Sequence, residues 1–200
     1  MGKESWSLII INTKRLILRP LQPNDYEHWY AGFSGRLPKQ HRYDDGLVSL
    51  DHCDRQWFVD LCQRHQQESL NDQFFGLGIF SRQTGQHLGN IDFLTIRRGE
   101  HQWAVLGYEI HNQYWRQGFG KESVRAALIA GFERLSYHRI EAAINLDNQS
   151  SIALAQSVGM RKECIRRGFL YENDQWVDHF IYVALPPDLG LIEKPPEIAA

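Results

Sequence analysis

The sequence predicts a single α+β domain, in which an antiparallel meander is followed by alternating helix and strand. Three observations carry this. Strand-like runs at residues 73–80, 87–96 and 102–110 are separated only by short polar turns, Arg82-Gln83-Thr84-Gly85 and Arg97-Arg98-Gly99-Glu100. From Gly118 the period changes. Val124, Ala127, Leu128, Gly131, Phe132 and Leu135 recur at helical spacing, with one apolar stripe. Ile140, Ala142, Ile144 and Leu146 then alternate as a strand. Two hundred residues can bury one sizeable core, and the chain carries no repeat and no second domain.

The remaining elements follow in order. Arg15-Leu16-Ile17-Leu18-Arg19 reads as an opening strand stopped by Pro20, and Pro23-Asn24-Asp25 as a turn and cap before a helix bearing Tyr26, Trp29 and Tyr30. A polar loop with Gly35, Pro38 and Gly46 follows. Its length suits either a substrate-side loop or a mobile connector. Residues 49–69 read as a helix with Cys53, Trp57, Phe58, Leu61, Cys62 and His65 along one face. Cysteine and histidine suggest zinc, but on one helix Cys53 and Cys62 would stand roughly 13 Å apart, too far for one ion. Buried thiols are the expected reading, and no metal is predicted. A short helix from Asn148 should end at Gly159, a natural residue just past a helix end. Two strands at 161–171 and 176–185 should turn at Glu172-Asn173-Asp174. The domain is thus expected over 1–185. Residues 186–200, with Pro186-Pro187 and Pro195-Pro196, read as an extended, poorly ordered tail.

Composition excludes several classes. A net charge of −2 lacks the basic excess of a nucleic-acid or membrane-surface binder. No apolar run approaches the roughly 18 residues of a membrane span. The N-terminus carries Glu4 where a signal peptide would be basic, and its apolar stretch at 8–11 is short, so a cytoplasmic protein is expected. Three cysteines without CxxC spacing imply no disulfide framework.

The chemistry-bearing stretch runs from Leu106 through Tyr108-Glu109-Ile110 to Tyr114-Trp115-Arg116-Gln117-Gly118-Phe119-Gly120-Lys121-Glu122. A strand enters a two-glycine loop, and a helix begins there. Free N–H groups and the dipole at a helix start favour an anion. Glycine lets a pyrophosphate approach the backbone. A P-loop fails because Glu122 follows Lys121, and a dinucleotide fingerprint fails because Ser123 replaces its last glycine. A tight turn capping a core helix would account for two glycines alone.

Trp115-Arg116-Gln117-Gly118-Phe119-Gly120 resembles the acetyl-CoA signature of the GNAT superfamily, [QR]-x-x-G-x-[GA], with Trp115 departing at the first position. Tyr-Trp before the loop resembles the branch of bacterial ribosomal-protein N-terminal acetyltransferases. So do Asn12-Thr13-Lys14 with Arg15 through Pro20, Asn148-Gln149-Ser150-Ser151-Ile152 with Val158-Gly159-Met160, and the stretch from Gly168 to Asp178. The similarity runs from about residue 12 to 185.

This resemblance implies a mixed, mostly antiparallel sheet flanked by helices and splayed after the fourth strand, which ends at Ile110. Acetyl-CoA would place its pantetheine arm in the gap. The backbone N–H groups of Gln117, Gly118, Phe119, Gly120 and Lys121 would cradle the pyrophosphate, and Arg116 and Lys121 could add charge. The N–H near Ile110 would stabilise the oxyanion. No metal is implied. Asn148 would meet the pantetheine arm or an ordered water, or simply cap its helix. The acid Tyr of many superfamily members is replaced by Ala155, so Ser151 would serve the thiolate, against a bland role as a helix cap. Glu109 is the base candidate, against a hydrogen-bonded Glu without proton transfer, and Asp92 is a weaker one. Tyr108, Tyr114 and Trp115 could line the acceptor pocket, although an aromatic beside a strand end is more often core.

The expected activity is transfer of acetyl to an amine, foremost the N-terminal α-amine of a protein, ribosomal by resemblance. The alternatives are a small-molecule N-acetyltransferase acting on an aminoglycoside, polyamine or amino acid, and a non-catalytic acetyl-CoA-binding factor on the ribosome. A monomer or homodimer is expected.

Overall fold

A computed structural model describes residues 9–196. The strands are β1 Ile11–Asn12, β2 Leu16–Arg19, β3 Phe74–Ser81, β4 His87–Arg97, β5 Trp103–Ile110, β6 Arg139–Asn145, β7 Arg161–Glu172 and β8 Gln175–Ala184. The helices are α1 Tyr26–Ser34, α2 Arg55–Leu70, α3 Phe119–Glu133 and α4 Gln149–Ser157. The strands hydrogen-bond in the order β1-β2-β3-β4-β5-β6-β8-β7, a mixed sheet with β5 and β6 parallel. Residues cluster into two compact units. One comprises the chain up to Leu94 with Gly107–Ala127, the other Thr95–Leu106 with Leu128 onward.

In the first unit the register sorts the side chains. Leu18 pairs with Ile79, and Leu77 with Ile91, so one face carries Leu16, Leu18, Leu77, Ile79, Ile91 and Phe93, all buried. The other face carries Gly76, Gly78, Asn90 and Asp92. Helices α1 and α2 pack there through Trp29, Phe58 and Cys62, against Leu21 and Phe80. A side chain at Gly78 would meet Leu21 and Phe80 at 2.7 Å, so its absence lets these apolar groups lie on the sheet.

Two expectations for this unit need correction. Helix α2 starts at Arg55, not near residue 49, because Asp54 caps it by accepting from Trp57 N–H at 2.8 Å. Cys53 therefore precedes the helix, in a turn closed by its N–H to the Leu50 carbonyl. The one-helix spacing used to separate the cysteines does not apply, although Cys62 is buried as expected. Asp25 forms the expected turn but does not cap α1. Its carboxylate reaches back to Arg19 Nη1 and Nη2, at 2.6 and 2.7 Å, and to the Gln22 N–H.

In the second unit, β5 pairs with β6 from Trp103 to Val105 only, and β6, β8 and β7 continue antiparallel. The hairpin between β7 and β8 turns at Asn173 and Asp174, whose φ values of 49° and 63° are those of a two-residue turn that follows strand twist. The first residues of the expected tail do not run extended. Pro186–Leu189 forms a 3-10 turn, Pro186 is buried, and Asp188 pairs with Arg161 at 2.7 Å. The Asp188 carbonyl lies 3.1 Å from where Gly159 would carry a Cβ. Proline at the start of a helical turn loses no hydrogen bond, which is why two prolines open this one. The last four residues of the expected tail and the signal-peptide reading of residues 1–8 lie outside the described residues.

Candidate active site

Strand β5 ends at Ile110, and a 3-10 turn at Asn112–Tyr114 leads to the glycine loop. Arg116 and Gly118 both take positive φ, 59° and 79°, and turn the chain sharply into α3. Only the second is a residue for which that is free of strain. The first helical bond runs from Glu122 N–H to the Gly118 carbonyl. The N–H groups of Phe119, Gly120 and Lys121 therefore lie ahead of the ladder, at an exposed helix start. Arg116, Gln117, Gly118 and Lys121 are exposed, with Phe119 and Gly120 half-buried. This is a fit for a phosphate-bearing ligand.

Two residues brace the loop, and sequence reasoning assigned neither that task. Arg15 donates to the Gln117 carbonyl at 2.9 Å and to Glu122 Oε2 at 2.6 Å, while its guanidinium covers the Phe119 ring. Burial alone would raise the Glu122 carboxyl. Hydrogen bonds from Thr13 and Arg15 outweigh it and hold the group below its ordinary value. Trp115 donates its indole N–H to the Ile110 carbonyl at 2.6 Å and stacks on His41. The departure from the glutamine or arginine of the signature thus clasps the strand end to the loop.

Glu109 lies on the same strand, with its side chain 37% exposed. One carboxylate oxygen, Oε1, accepts from Nη1 of Arg36, whose side chain is buried. Arg36 also pairs with the fully buried Asp44 at 3.3 Å. Asp44 in turn accepts from Gln40 N–H, Gly46 N–H and the Asn112 amide. Burial alone would raise Asp44, but these bonds, led by Asn112, hold it below the usual carboxylate range. Asn112 also exchanges hydrogen bonds with both backbone groups of Leu37. The polar loop after α1 is consequently ordered and fastened to the end of β5. Its key residue, Arg36, was missed in the sequence because an arginine in a polar loop carries no signal of burial.

Asp92 on β4 is half-buried and leans over Gly107 of β5, where an added Cβ would meet its oxygens at 2.7 and 2.9 Å. In the second unit, Asn148 caps α4. Its Oδ1 accepts from Ser151 N–H at 3.2 Å and from the Ser150 hydroxyl at 2.9 Å. The capping oxygen is thus Asn148's, and Ser151 contributes its N–H. Ala155 is buried. The structure brings Glu109, Ile110 and the loop residues 116–121 together in one unit, and Asn148 with Ser151 in the other.

The acetyltransferase (GNAT) domain profile matches residues 15–161. The chain belongs to the GNAT acetyltransferase family. It is 30% identical over 178 residues to the N-acetyltransferase YoaA of Bacillus subtilis, itself uncharacterised, spanning 89% of this chain and 97% of that one. It is 25% identical over 189 residues to the [ribosomal protein uS5]-alanine N-acetyltransferase of Escherichia coli, spanning 93% and 84%. Its fold is similar to that of Mycobacterium smegmatis RimJ in complex with CoA-disulfide, with a TM-score of 0.74 at 18% identity, covering 92% and 88%. As a GNAT enzyme it is an N-acetyltransferase with acetyl-CoA as co-substrate.

Proposed function

We propose that this GNAT enzyme acetylates the N-terminal α-amine of a protein, with a ribosomal protein as the acceptor that the uS5-alanine relative suggests. The observation that carries the acceptor class is the clamped carboxylate. Glu109, fixed by a buried guanidinium and still part-exposed, offers one negative charge in one position. One such charge matches a single terminal ammonium better than a polyamine. The α-amine is also the easier nucleophile, with a pKa of about 7.7–8.0 against about 10.4 for lysine.

In this reading the N–H groups of residues 117–121 hold the pyrophosphate, with Arg116 and Lys121 adding positive charge. The neutral amine attacks the thioester carbonyl carbon, and the N–H of Ile110 faces the oxyanion. As the C–S bond breaks, Ser151 delivers a proton to the thiolate and recovers one from the acetylated nitrogen. Asn148, with Oδ1 committed to its cap, offers Nδ2 to the pantetheine arm.

Mass spectrometry of two matched peptides tests the acceptor. One peptide begins with a free Ala or Ser and has its lysine blocked; the other has a blocked N-terminus and a free lysine. Acetylation of the first alone is expected. Modification confined to the lysine would refute the N-terminal reading. Transfer to neither, with turnover on an aminoglycoside or polyamine, would install a small-molecule acceptor instead.

A further inference from the structure

Asp92 and Glu109 occupy neighbouring strands on one sheet face and are built into it differently. Glu109 is engaged by Arg36, so a proton arriving there would discharge that ion pair. Asp92 accepts instead from the backbone N–H of Gly107. Its partner across β3 is Gly76, over which His65 of α2 and Phe74 close. Glycine therefore stands beside Asp92 on both adjacent strands, and on the β5 side the carboxylate itself fills the vacant side-chain space. Asp92 itself is half-buried, and next along β4 on the same face Leu94 is 46% exposed. Gly107 precedes Glu109 by two strand positions, about 7 Å.

We propose that Asp92 is the group that accepts the proton of the acceptor ammonium, through water, while Glu109 holds that ammonium in place; this rests on the acetyl-transfer reading above. The ammonium gives one proton through water to the Asp92 carboxylate. The neutral nitrogen then bonds to the acetyl carbon and the C–S bond breaks. The second proton leaves the nitrogen as the thiolate becomes the CoA thiol. Asp92 returns its proton to solvent. Burial pushes the Asp92 carboxyl up to about 6, against the pull of the Gly107 hydrogen bond. The titratable groups on the elements around it are Glu109 on β5, held by Arg36, and His65 on α2, which burial shifts down. A carboxylate titrating there is ionised at neutral pH and is a better base than an ordinary Asp.

The test is the pH–rate profile of wild type, Asp92→Asn and Glu109→Gln, using the Ala-first peptide or whichever amine of a mixed panel is acetylated. Asparagine keeps the shape and an acceptor for the Gly107 N–H, so fold and acetyl-CoA affinity should persist. Asp92→Asn should lower kcat by about 10²-fold or more, change KM by less than about threefold, and erase the acid limb near pH 6. Added formate should partly restore the rate of Asp92→Ala. Glu109→Gln should raise KM by about tenfold and keep the limb. A full rate in Asp92→Asn, or loss of the limb in Glu109→Gln instead, overturns the assignment. Should Asp92→Asn fail to fold, Gly107→Ala displaces the carboxylate without removing it, and an unchanged profile there overturns the assignment equally. Wild type that acetylates no amine sinks the transfer reading and this assignment with it. Turnover with an unaltered Asp92→Asn profile sinks the assignment alone.

Discussion

Ser151 shows how one hydrogen bond separates two roles that look alike in sequence. A serine in the first turn of a helix is most simply a cap, but here the cap is the Asn148 side chain, and Ser151 supplies the N–H. Ser151→Ala should keep the Asn148 cap of α4 while lowering kcat on the order of 10-fold to 10³-fold. Thermal melts and steady-state kinetics on one preparation check this, and full activity would reduce Ser151 to a helix residue. The candidate residues could be named from sequence because the glycine loop, the Asn-to-Ser spacing and a strand carboxylate are local patterns. Their partners were not readable. Arg36 meets Glu109 across 73 residues and Arg15 meets Glu122 across 107, and no local periodicity reports such pairs.

Among elements, the loop between α1 and α2 depends most on a single residue. Arg36 is the counter-charge of buried Asp44 and also fixes Glu109. Arg36→Met would leave Asp44 buried without its cation, at a cost of about 3–5 kcal/mol. Acetyl-CoA affinity should be kept, since the glycine loop has its own brace. Urea unfolding with calorimetry separates the two, and a loss below about 1 kcal/mol would mean that Asn112 and the backbone N–H groups suffice for Asp44. Strand positions were predicted to within a residue or so, because alternation and turns mark them directly: 73–80 against Phe74–Ser81, and 87–96 against His87–Arg97. Helix α2 was drawn too long because apolar spacing continues back through Cys53, whereas Asp54 decides where the helix starts.

For the whole molecule, stability should be pH-dependent through groups far from any expected titration. His87 and His111 are fully buried and hydrogen-bonded to each other at 3.0 Å, with Phe33 against both. His87 Nε2 donates to Asn90 Oδ1, so His87 Nδ1 accepts from His111. Burial pushes them down to about 4 and about 3. The folded pair stays neutral while the unfolded chain binds protons below about pH 6.5, so stability is complete above that pH and falls as pH drops. Each histidine contributes about 1.4 kcal/mol per pH unit between there and its folded value. Asp92, raised to about 6, works in the opposite sense over the same window and offsets one of them. The net expectation is a loss on the order of 1–2 kcal/mol per unit from pH 6 to 4.5, steeper in Asp92→Asn. Urea midpoints across that range provide the check, and a flat profile would show that the pair charges without unfolding.

The brace between Arg15, Thr13 and Glu122 also bears on how the enzyme is made. A ribosome adds roughly 5–20 residues per second, so Glu122 emerges about 5–20 s after Arg15. Until then the opening strand has been synthesised without the helix start that holds its arginine. The glycine loop is thus braced only once Glu122 has followed Arg15 by 107 residues. A nascent chain stopped short of α3 leaves Arg15 without the Glu122 carboxylate, so a residue of the opening strand is among the last to be locked.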